Sequence, residues 1–544
     1  MMSALLDCAR QWAEHDPDPS TKEELLALID AEDEEELATR FAGPLSFGTA
    51  GLRGKIAAGE SCMNQATVMK ATAGLAAWLT SKVEEPVVVV GCDARHGSAQ
   101  FHRATCGVLA AAGCKVLALP TQLPTPVTSA SVRHYDADAG IMVTASHNPP
   151  QDNGYKVYLG GRICAEDAER GVQLISPADR EIADCIAATP PADQIPQSSE
   201  GITQLGDEAL EAYLERVCSL VPHSTRSLPI VITAMHGVGG AVLETALHRC
   251  GFETVIRVAE QFDPDPDFPT VAFPNPEEKG ALDLAIATAE REGAGLILAL
   301  DPDADRCSVA IREGSTWTQL SGDRVGALLG EDCARRWESE GQKDQDTMAC
   351  SIVSSRILER IAEAHGLSFQ PTLTGFKWIG RTPGLVFGYE EALGYCTDPR
   401  YVRDKDGVSA CLRVADLASR MDLAQLGQEI DAAYGVYLTR PLTLRFSDPA
   451  QIRESLAAVM DNPPQSLGGS RVTATTDLST GYRGLPGTPG MVLDMESGDR
   501  VVIRPSGTEP KLKCYLETVA PDREEATARM DAVERDLARA LGVN

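Results

Sequence analysis

The sequence predicts an α/β protein of four domains, three built on mixed, largely parallel sheets and a smaller C-terminal fourth of α+β type. Three observations carry that reading. Apolar, β-rich runs alternate with helical stretches through most of the chain. Each run ends in a polar, glycine-containing loop. The last part breaks the pattern, with strands that follow one another before a long terminal helix. At 544 residues, 43% hydrophobic and 24% charged, the chain is long enough for several domains and apolar enough to bury real cores.

The first domain is read as residues 1–204. ALLDCARQWAEH and TKEELLALIDAEDEEELATRF predict two helices, the second capped by Asp18 or Ser20, with its acidic run facing water. PVVVVGCDARHG then runs into the helical SAQFHRATCGVLAAAG, and GIMVTASHNP follows. The Pro/Ser-rich ATPPADQIPQSSEG, residues 188–201, reads as a linker. In the second domain, 205–317, LPIVITAMHGVGG precedes AVLETALHRCG, and the helical ALDLAIATAEREG leads to GLILALDPDADR. A break is expected near Gly314 to Thr318. The third, 318–436, carries TMACSIVSS before RILERIAEAHG and ends between Tyr434 and Pro441. The fourth, 437–544, combines the helix QIRESLAAVM, the strands RVTATTD, RVVIRPSG and KLKCYLETVA, and the terminal helix. In open α/β sheets ligands bind beyond the carboxyl ends of the strands. TASHNP and DPDADR both sit there, so they could converge on one cleft.

Charge narrows the function. With 49 basic and 79 acidic side chains the net charge is −30. Such a surface repels phosphate backbones, which argues against nucleic acid and anionic membranes as partners. An anionic substrate would require the few cations to be gathered locally. No stretch has the roughly 18 apolar residues of a membrane span, and the opening MMSALLDCARQW lacks the pattern of a signal peptide. The 15 cysteines are scattered with no CxxC pair, which favours reduced thiols in a cytoplasmic protein over a disulfide framework or a thiolate metal site.

Four loops carry chemistry. In Thr144-Ala145-Ser146-His147-Asn148-Pro149-Pro150 a serine ends an apolar strand on an exposed turn, where its hydroxyl can react. The same residues also suit a cap or a hydroxyl-stabilised turn, and they do not form the G-x-S-x-G elbow of acyl transfer. Asp301, Asp303 and Asp305, bent by Pro302, can turn three carboxylates toward one hard divalent cation, with Mg²⁺ the usual choice beside phosphate. An acidic turn is the alternative, at the cost of mutual repulsion. An EF-hand is excluded because Arg306 and Arg312 stand where Gly and Glu belong. Asp263-Pro264-Asp265-Pro266-Asp267 resembles this pattern but reads as a stiff surface loop. Arg504-Pro505-Ser506-Gly507-Thr508-Glu509-Pro510-Lys511 offers two cations, two hydroxyls and amides around a glycine, either a nest for a phosphate dianion or an ordinary turn. Gly388-Tyr389-Glu390-Glu391-Ala392-Leu393-Gly394 could bind sugar hydroxyls through its glutamates or leave them solvated. Lys405, between Asp404 and Asp406, could be a buried acid/base or a surface lysine. GTAGLRGK has Thr49 and Ile56 where a Walker loop needs Gly and Ser/Thr, and GVGGAV lacks the third glycine of a dinucleotide fingerprint.

Taken together, TASHNP, DPDADR, GYEEALG and RPSGTEPK resemble, in order and spacing, the phosphoserine, metal, sugar-recognition and phosphate-binding loops of the α-D-phosphohexomutase (phosphoglucomutase/phosphomannomutase) family. FGTAGLRG, DNGYKVY, AMHGVGG, FPNPEEKGAL and TGFKWIG are similar to its phosphoglucomutase-2-like and phosphopentomutase branch. The resemblance implies four domains around a central cleft and an intramolecular phosphotransferase acting on a sugar 1-phosphate, with glucose first. Phosphopentomutase, phosphomannomutase, sugar-bisphosphate synthase and an inactive sugar-phosphate-binding protein are the alternatives. It implies that Ser146 is phosphorylated and that Asp301, Asp303 and Asp305 hold Mg²⁺ with a phosphoserine oxygen. It places Arg306 and Arg53 near the moving phosphoryl group, and Glu390, Glu391 and Lys377 at the sugar. Arg504, Ser506, Gly507, Thr508 and Lys511 would hold the idle phosphate, and His147, Lys156 and Lys405 are acid/base candidates. A sugar 1,6-bisphosphate would be activator and intermediate, and a monomer or weak homodimer is expected. Ala392 departs from the serine of many hexose-specific members; losing that hydroxyl removes a hydrogen bond worth about 0.5–1.5 kcal/mol.

Overall fold

The computed structural model describes residues 2–45, 51–340, 346–446, 449–506 and 511–542. The chain divides into two compact units, residues 1–319 with 394–419, and residues 320–393 with 420–544.

The first unit opens on three helices rather than the expected two: Met2–Glu14, Pro19–Asp30 and Glu34–Arg40. Asp18 caps the second by accepting from the Ser20 amide. The acidic run does not continue it. Glu32 takes a left-handed conformation (φ 50°), and Asp33 caps a new helix through the Glu36 amide. Aspartate favours a cap over a helix interior because its carboxylate competes for backbone amides.

Two sheets follow in this unit. In the first, strands run in the order Leu52–Lys55, Asp152–Leu159, Ala139–Val143, Val87–Cys92, Lys115–Ala118 and Ile202–Gln204, and the short Val172–Gln173 pairs with Asp152–Leu159. The four strands from Ala139–Val143 onward are mutually parallel, and the other pairings are antiparallel. Val88 to Val90 are fully buried, as expected of strands covered on both faces. Residues 188–201 are not a free linker. Ile195 packs with Met69, Ala104 and Val108, the Ser198 amide donates to Gly107 O at 2.9 Å, and the chain then adds the edge strand Ile202–Gln204. The apolar side chain and the available backbone groups outweigh the Pro/Ser composition.

The second sheet has the order Thr316–Gln319, Cys307–Glu313, Leu296–Leu300, Ile230–Thr233 and Val255–Arg257. The last three strands are parallel. Gly314 (φ 64°) turns a hairpin, so the strand Thr316–Gln319 stays in this sheet beyond the expected break. The second unit holds the parallel strands Ser368–Thr372, Thr347–Ser351 and Leu385–Glu390, in that order. Its other sheet is antiparallel: Val436–Arg445, Lys511–Ala520, Arg500–Pro505, Met491–Met495, Ser470–Asp477 and Ser466–Leu467. Ile452, Leu456, Met530 and Val533, from the helices Pro449–Asp461 and Arg523–Ala540, complete its core.

The GVGG motif has a packing reason. A Cβ on Gly237 would fall 2.3 Å from Pro302 Cα, so only glycine lets this loop meet the DPDADR turn backbone to backbone. The Val238 amide then donates to Pro302 O at 2.9 Å. Gly237→Ala should destabilise the protein by about 1–3 kcal/mol through overpacking, measured as a fall in melting temperature. An unchanged melting temperature would contradict the close approach.

Candidate active site

Ser146 is buried on a left-handed turn (φ 53°) just past the strand Ala139–Val143. Non-glycine residues persist there only when their surroundings over-determine the geometry, and such strain collects at functional sites. Here the Ser146 amide donates to Thr144 Oγ1 at 2.9 Å. The Ser146 hydroxyl donates to Asp301 Oδ2 at 3.0 Å and lies 3.2 Å from His147 Nδ1.

Asp301, Asp303 and Asp305 follow the strand Leu296–Leu300 and are fully buried. One oxygen from each lies within 4.8 Å of the others. Burial, then Asp303 and Asp305, push the Asp301 carboxyl well above the ordinary carboxylate range. Lys156 Nζ donates to Asp303 Oδ2 at 2.7 Å and to Asp305 Oδ2 at 2.8 Å. The Thr125 hydroxyl donates to Asp303 Oδ2 at 2.6 Å, and the Arg306 amide to Asp301 Oδ1 at 3.0 Å. Asp303 Oδ1 and Asp305 Oδ1 are buried and have no hydrogen-bond partner among the described residues. Two unsatisfied anionic oxygens in an all-carboxylate set fit a hard divalent cation. Among the described residues this is the only cluster of that kind. The DPDPD segment is a surface loop, with Asp263 and Asp267 exposed.

The remaining candidates of the first unit gather around the triad. Burial pulls Lys156 toward neutrality, but Asp303 and Asp305 outweigh it and hold the amine above its usual range. Arg306 Nε lies 3.9 Å from Asp305 Oδ1, and its Nη1 lies 3.5 Å from Glu277 Oε2. Burial draws the Arg53 guanidinium down despite Asp303 and Asp305. Burial, then Arg306 and Arg53, holds His147 well below its usual range, so its imidazole is neutral at physiological pH. Lys405 is buried, not a surface lysine, with Nζ 3.3 Å from Asp305 Oδ2. It is delivered by the segment after Gly394, which bridges to Arg306. A Cβ on Gly407 would meet Arg306 O at 2.3 Å, so this contact too needs glycine.

The second unit carries the other two loops. Glu390 is buried at the end of the strand Leu385–Glu390. Glu391 turns its carboxylate inward, accepting from Ser354 Oγ at 2.9 Å and Ser351 Oγ at 3.2 Å. Lys377 is half-buried on the short helix Phe376–Ile379. Arg504 pairs across the sheet with Lys513, and the Ser506 amide donates to Lys511 O at 2.8 Å. Gly507 and Thr508 lie outside the described residues.

Several residues that hold the candidate side chains within each unit were not singled out in the sequence. Thr125, Glu277 and Arg95 are among them, along with the serines of SIVSS. The carboxyl-end rule could have found Arg95 and Ser354, because GCDARHG follows an apolar strand as TASHNP does, and SIVSS stands at the end of Thr347–Ser351. Thr125 and Glu277 had no such signal.

The phosphoglucomutase/phosphomannomutase family matches along the chain, with its alpha/beta/alpha domains I, II and III at residues 44–190, 211–314 and 321–436 and its C-terminal domain at 444–535. A Haemophilus influenzae protein named "Probable phosphomannomutase" is 42% identical over 473 residues, covering 85% of this chain and 94% of its own. Human phosphopentomutase is 35% identical over 565 residues (94% of this chain, 91% of that one). Human glucose 1,6-bisphosphate synthase is 33% identical over 586 residues (98% and 92%). A solved phosphoglucomutase/phosphomannomutase family protein from Burkholderia thailandensis shares the fold, with a TM-score of 0.70 at 19% identity over 92% of this chain and 98% of that one.

Burial pushes the Asp406 carboxyl, next to Lys405, up to about 6. It accepts from Tyr213 Oη at 2.7 Å and the Ser409 amide at 3.0 Å. A raised native pKa means the protonated form stabilises the fold: the contribution is full below about 4 and is lost as pH rises through about 6, a change of about 3 kcal/mol. Asp406→Asn keeps an acceptor oxygen without the charge. Its melting temperature relative to wild type should therefore rise between pH 4.5 and 7.5, and parallel curves would contradict the assignment.

Proposed function

The chain belongs to the phosphoglucomutase/phosphomannomutase family, and on that premise we propose that Ser146 carries the phosphoryl group exchanged between O1 and O6 of a hexose phosphate, with glucose 1-phosphate as first substrate. The protein is an isomerase of the phosphosugar mutase class, an intramolecular phosphotransferase. The observation that carries the assignment of Ser146 is its hydroxyl, 3.0 Å from Asp301 and held on a left-handed turn beside the unsatisfied oxygens of Asp303 and Asp305.

Asp301, Asp303 and Asp305 would hold Mg²⁺ together with a phosphoserine oxygen, and the bound ion supplies positive charge to the phosphoryl oxygens. In the phosphorylated enzyme the free hydroxyl of a sugar 1-phosphate attacks phospho-Ser146. The new P–O bond forms to the sugar, the bond to Ser146 Oγ breaks, and a sugar 1,6-bisphosphate results. The bisphosphate turns over, and its other phosphate returns to Ser146. Arg306 and Arg53 stabilise charge on the phosphoryl oxygens, where most of the catalysis in such transfers lies. Lys156, held protonated between two aspartates, acts as fixed charge rather than as base. His147, neutral and 3.2 Å from Ser146 Oγ, is the group able to take and return the hydroxyl proton, and Lys405, an ammonium 3.3 Å from Asp305 Oδ2, is a candidate acid. Glu390 and Lys377 meet the sugar, with Glu391 bracing the loop, and Arg504, Ser506, Gly507, Thr508 and Lys511 hold the idle phosphate. The 15 thiols, none of them in a disulfide, suit a reducing cytoplasmic setting.

Ala392 favours a second reading. Without a hydroxyl at that position the loop loses one hydrogen bond to a hexose, which brings ribose and deoxyribose 1-phosphates into contention. A ³¹P NMR time course with glucose, mannose, ribose and deoxyribose 1-phosphates, Mg²⁺ and a trace of glucose 1,6-bisphosphate separates the readings. Loss of glucose 1-phosphate with growth of glucose 6-phosphate is expected, and conversion of a pentose 1-phosphate alone would shift the assignment. Ser146→Ala should abolish turnover while sugar phosphate still binds. A variant with near-normal rates would overturn the role of Ser146.

A further inference from the structure

A buried guanidinium grips the turn that presents Ser146. Arg95 stands just beyond the strand Val87–Cys92 and is 4% exposed. Its Nη2 donates to Ser146 O and to Asn148 O, both at 2.6 Å, and its Nη1 to Pro149 O at 2.8 Å and Asp152 O at 3.2 Å. The guanidinium carbon lies 5.0 Å from the centre of the Phe268 ring, and Asp93 Oδ2 is 3.4 Å from Nε. Asp93 Oδ1 accepts from the Arg95 amide at 3.0 Å and from Ser98 Oγ at 2.6 Å. Among the described residues, every hydrogen bond of the guanidinium runs to a main-chain oxygen of residues 146–152.

This arrangement has a physical purpose. A left-handed serine is strained and must be held by its surroundings. Carbonyls turned into the protein need donors, or each costs the desolvation of an unmade hydrogen bond. A planar fork with five N–H groups can serve four carbonyls at once, whereas an ammonium offers three donors from a single point. The ring of Phe268 and the carboxylate of Asp93 fix that fork from behind. On the far side, Thr144 Oγ1 takes the Ser146 amide at 2.9 Å. Together they leave the turn a single orientation, with the hydroxyl toward Asp301.

We propose that Arg95 is a positioning residue for phosphoryl transfer: through the carbonyls of residues 146–152 it sets the direction of Ser146 Oγ, and Thr144 completes the grip. The proposal rests on Ser146 as the phosphoryl carrier. Neither residue is assigned a contact with the sugar, so the effect falls on the transfer step and not on substrate affinity.

The test follows phosphorylation of Ser146 by glucose 1,6-bisphosphate with Mg²⁺, read by intact-protein mass, in wild type, Arg95→Lys and Thr144→Val. It is paired with kcat and KM for the sugar 1-phosphate that wild type converts. Misplacing a reacting atom by about 1 Å costs about 100-fold, so Arg95→Lys should label about 100-fold more slowly with KM within threefold of wild type. Thr144→Val, nearly isosteric, should show a smaller loss of the same kind. Labelling of both variants at the wild-type rate would overturn the proposal, as would a rise in KM that accounts for the whole loss. If Arg95→Lys does not fold, Thr144→Val decides alone, and an unchanged labelling rate in it is a refutation. Wild type that takes no label at Ser146 would instead overturn the phosphoserine reading on which the proposal stands.

Discussion

Three buried carboxylates whose oxygens lie within 4.8 Å of one another set the terms for the rest of the structure. At an effective dielectric of 20, each pair of full charges at that distance repels by about 3–4 kcal/mol. Three such pairs would cost about 10 kcal/mol, which is comparable with the whole stability of a typical fold. The protein answers locally. Lys156 lies directly on Asp303 and Asp305, Lys405 lies 3.3 Å from Asp305, and Arg306 stands at about 4 Å from two of the three. In a chain of net charge −30 these cations are scarce, and their concentration here makes the site receptive to a phosphate. What the amino acids leave unsatisfied, Asp303 Oδ1 and Asp305 Oδ1, is oxygen for a divalent ion.

Packing serves the same end. The aspartate turn can lie against its neighbours only where side chains are absent, at Gly237 beneath Pro302 and at Gly407 beside Arg306. The serine turn instead is held by hydrogen bonds: Arg95 donates to its carbonyls, and Asp301 accepts from its hydroxyl. Close backbone approach and saturated backbone oxygens are two ways to place a reacting atom on loops, which otherwise would be the least constrained parts of an α/β fold.

Much of this is legible in the sequence. Strands that are buried on both faces announce themselves by composition, as Val87 to Val90 do, and their polar ends marked Ser146 and the aspartates. The fourfold pattern of loops was specific enough to point to the family. What composition could not show were contacts set by register and long-range packing. ATPPADQIPQSSEG reads as a linker until Ile195 is seen to pack on Met69 and Val108. The acidic stretch before Arg40 reads as one helix until Asp33 takes the cap. Arg95 and Thr125 are ordinary polar residues in the sequence, and their value comes from backbone oxygens and carboxylates 50 or more positions away. Glu391 also has partners that the sequence does not show: its Oε2 accepts from Ser351 and Ser354.

The central claim is that Ser146 and the three aspartates form one phosphoryl-transfer centre in which a phosphoserine oxygen completes the metal's ligand set. Calorimetric titration of Mg²⁺ into the metal-free protein, with Ser146 unmodified and then phosphorylated, tests it directly. The account predicts one site whose affinity rises at least about tenfold on phosphorylation, about 1.4 kcal/mol, and which is lost in Asp305→Asn. Equal affinity in the two forms, or binding that survives Asp305→Asn, would contradict it.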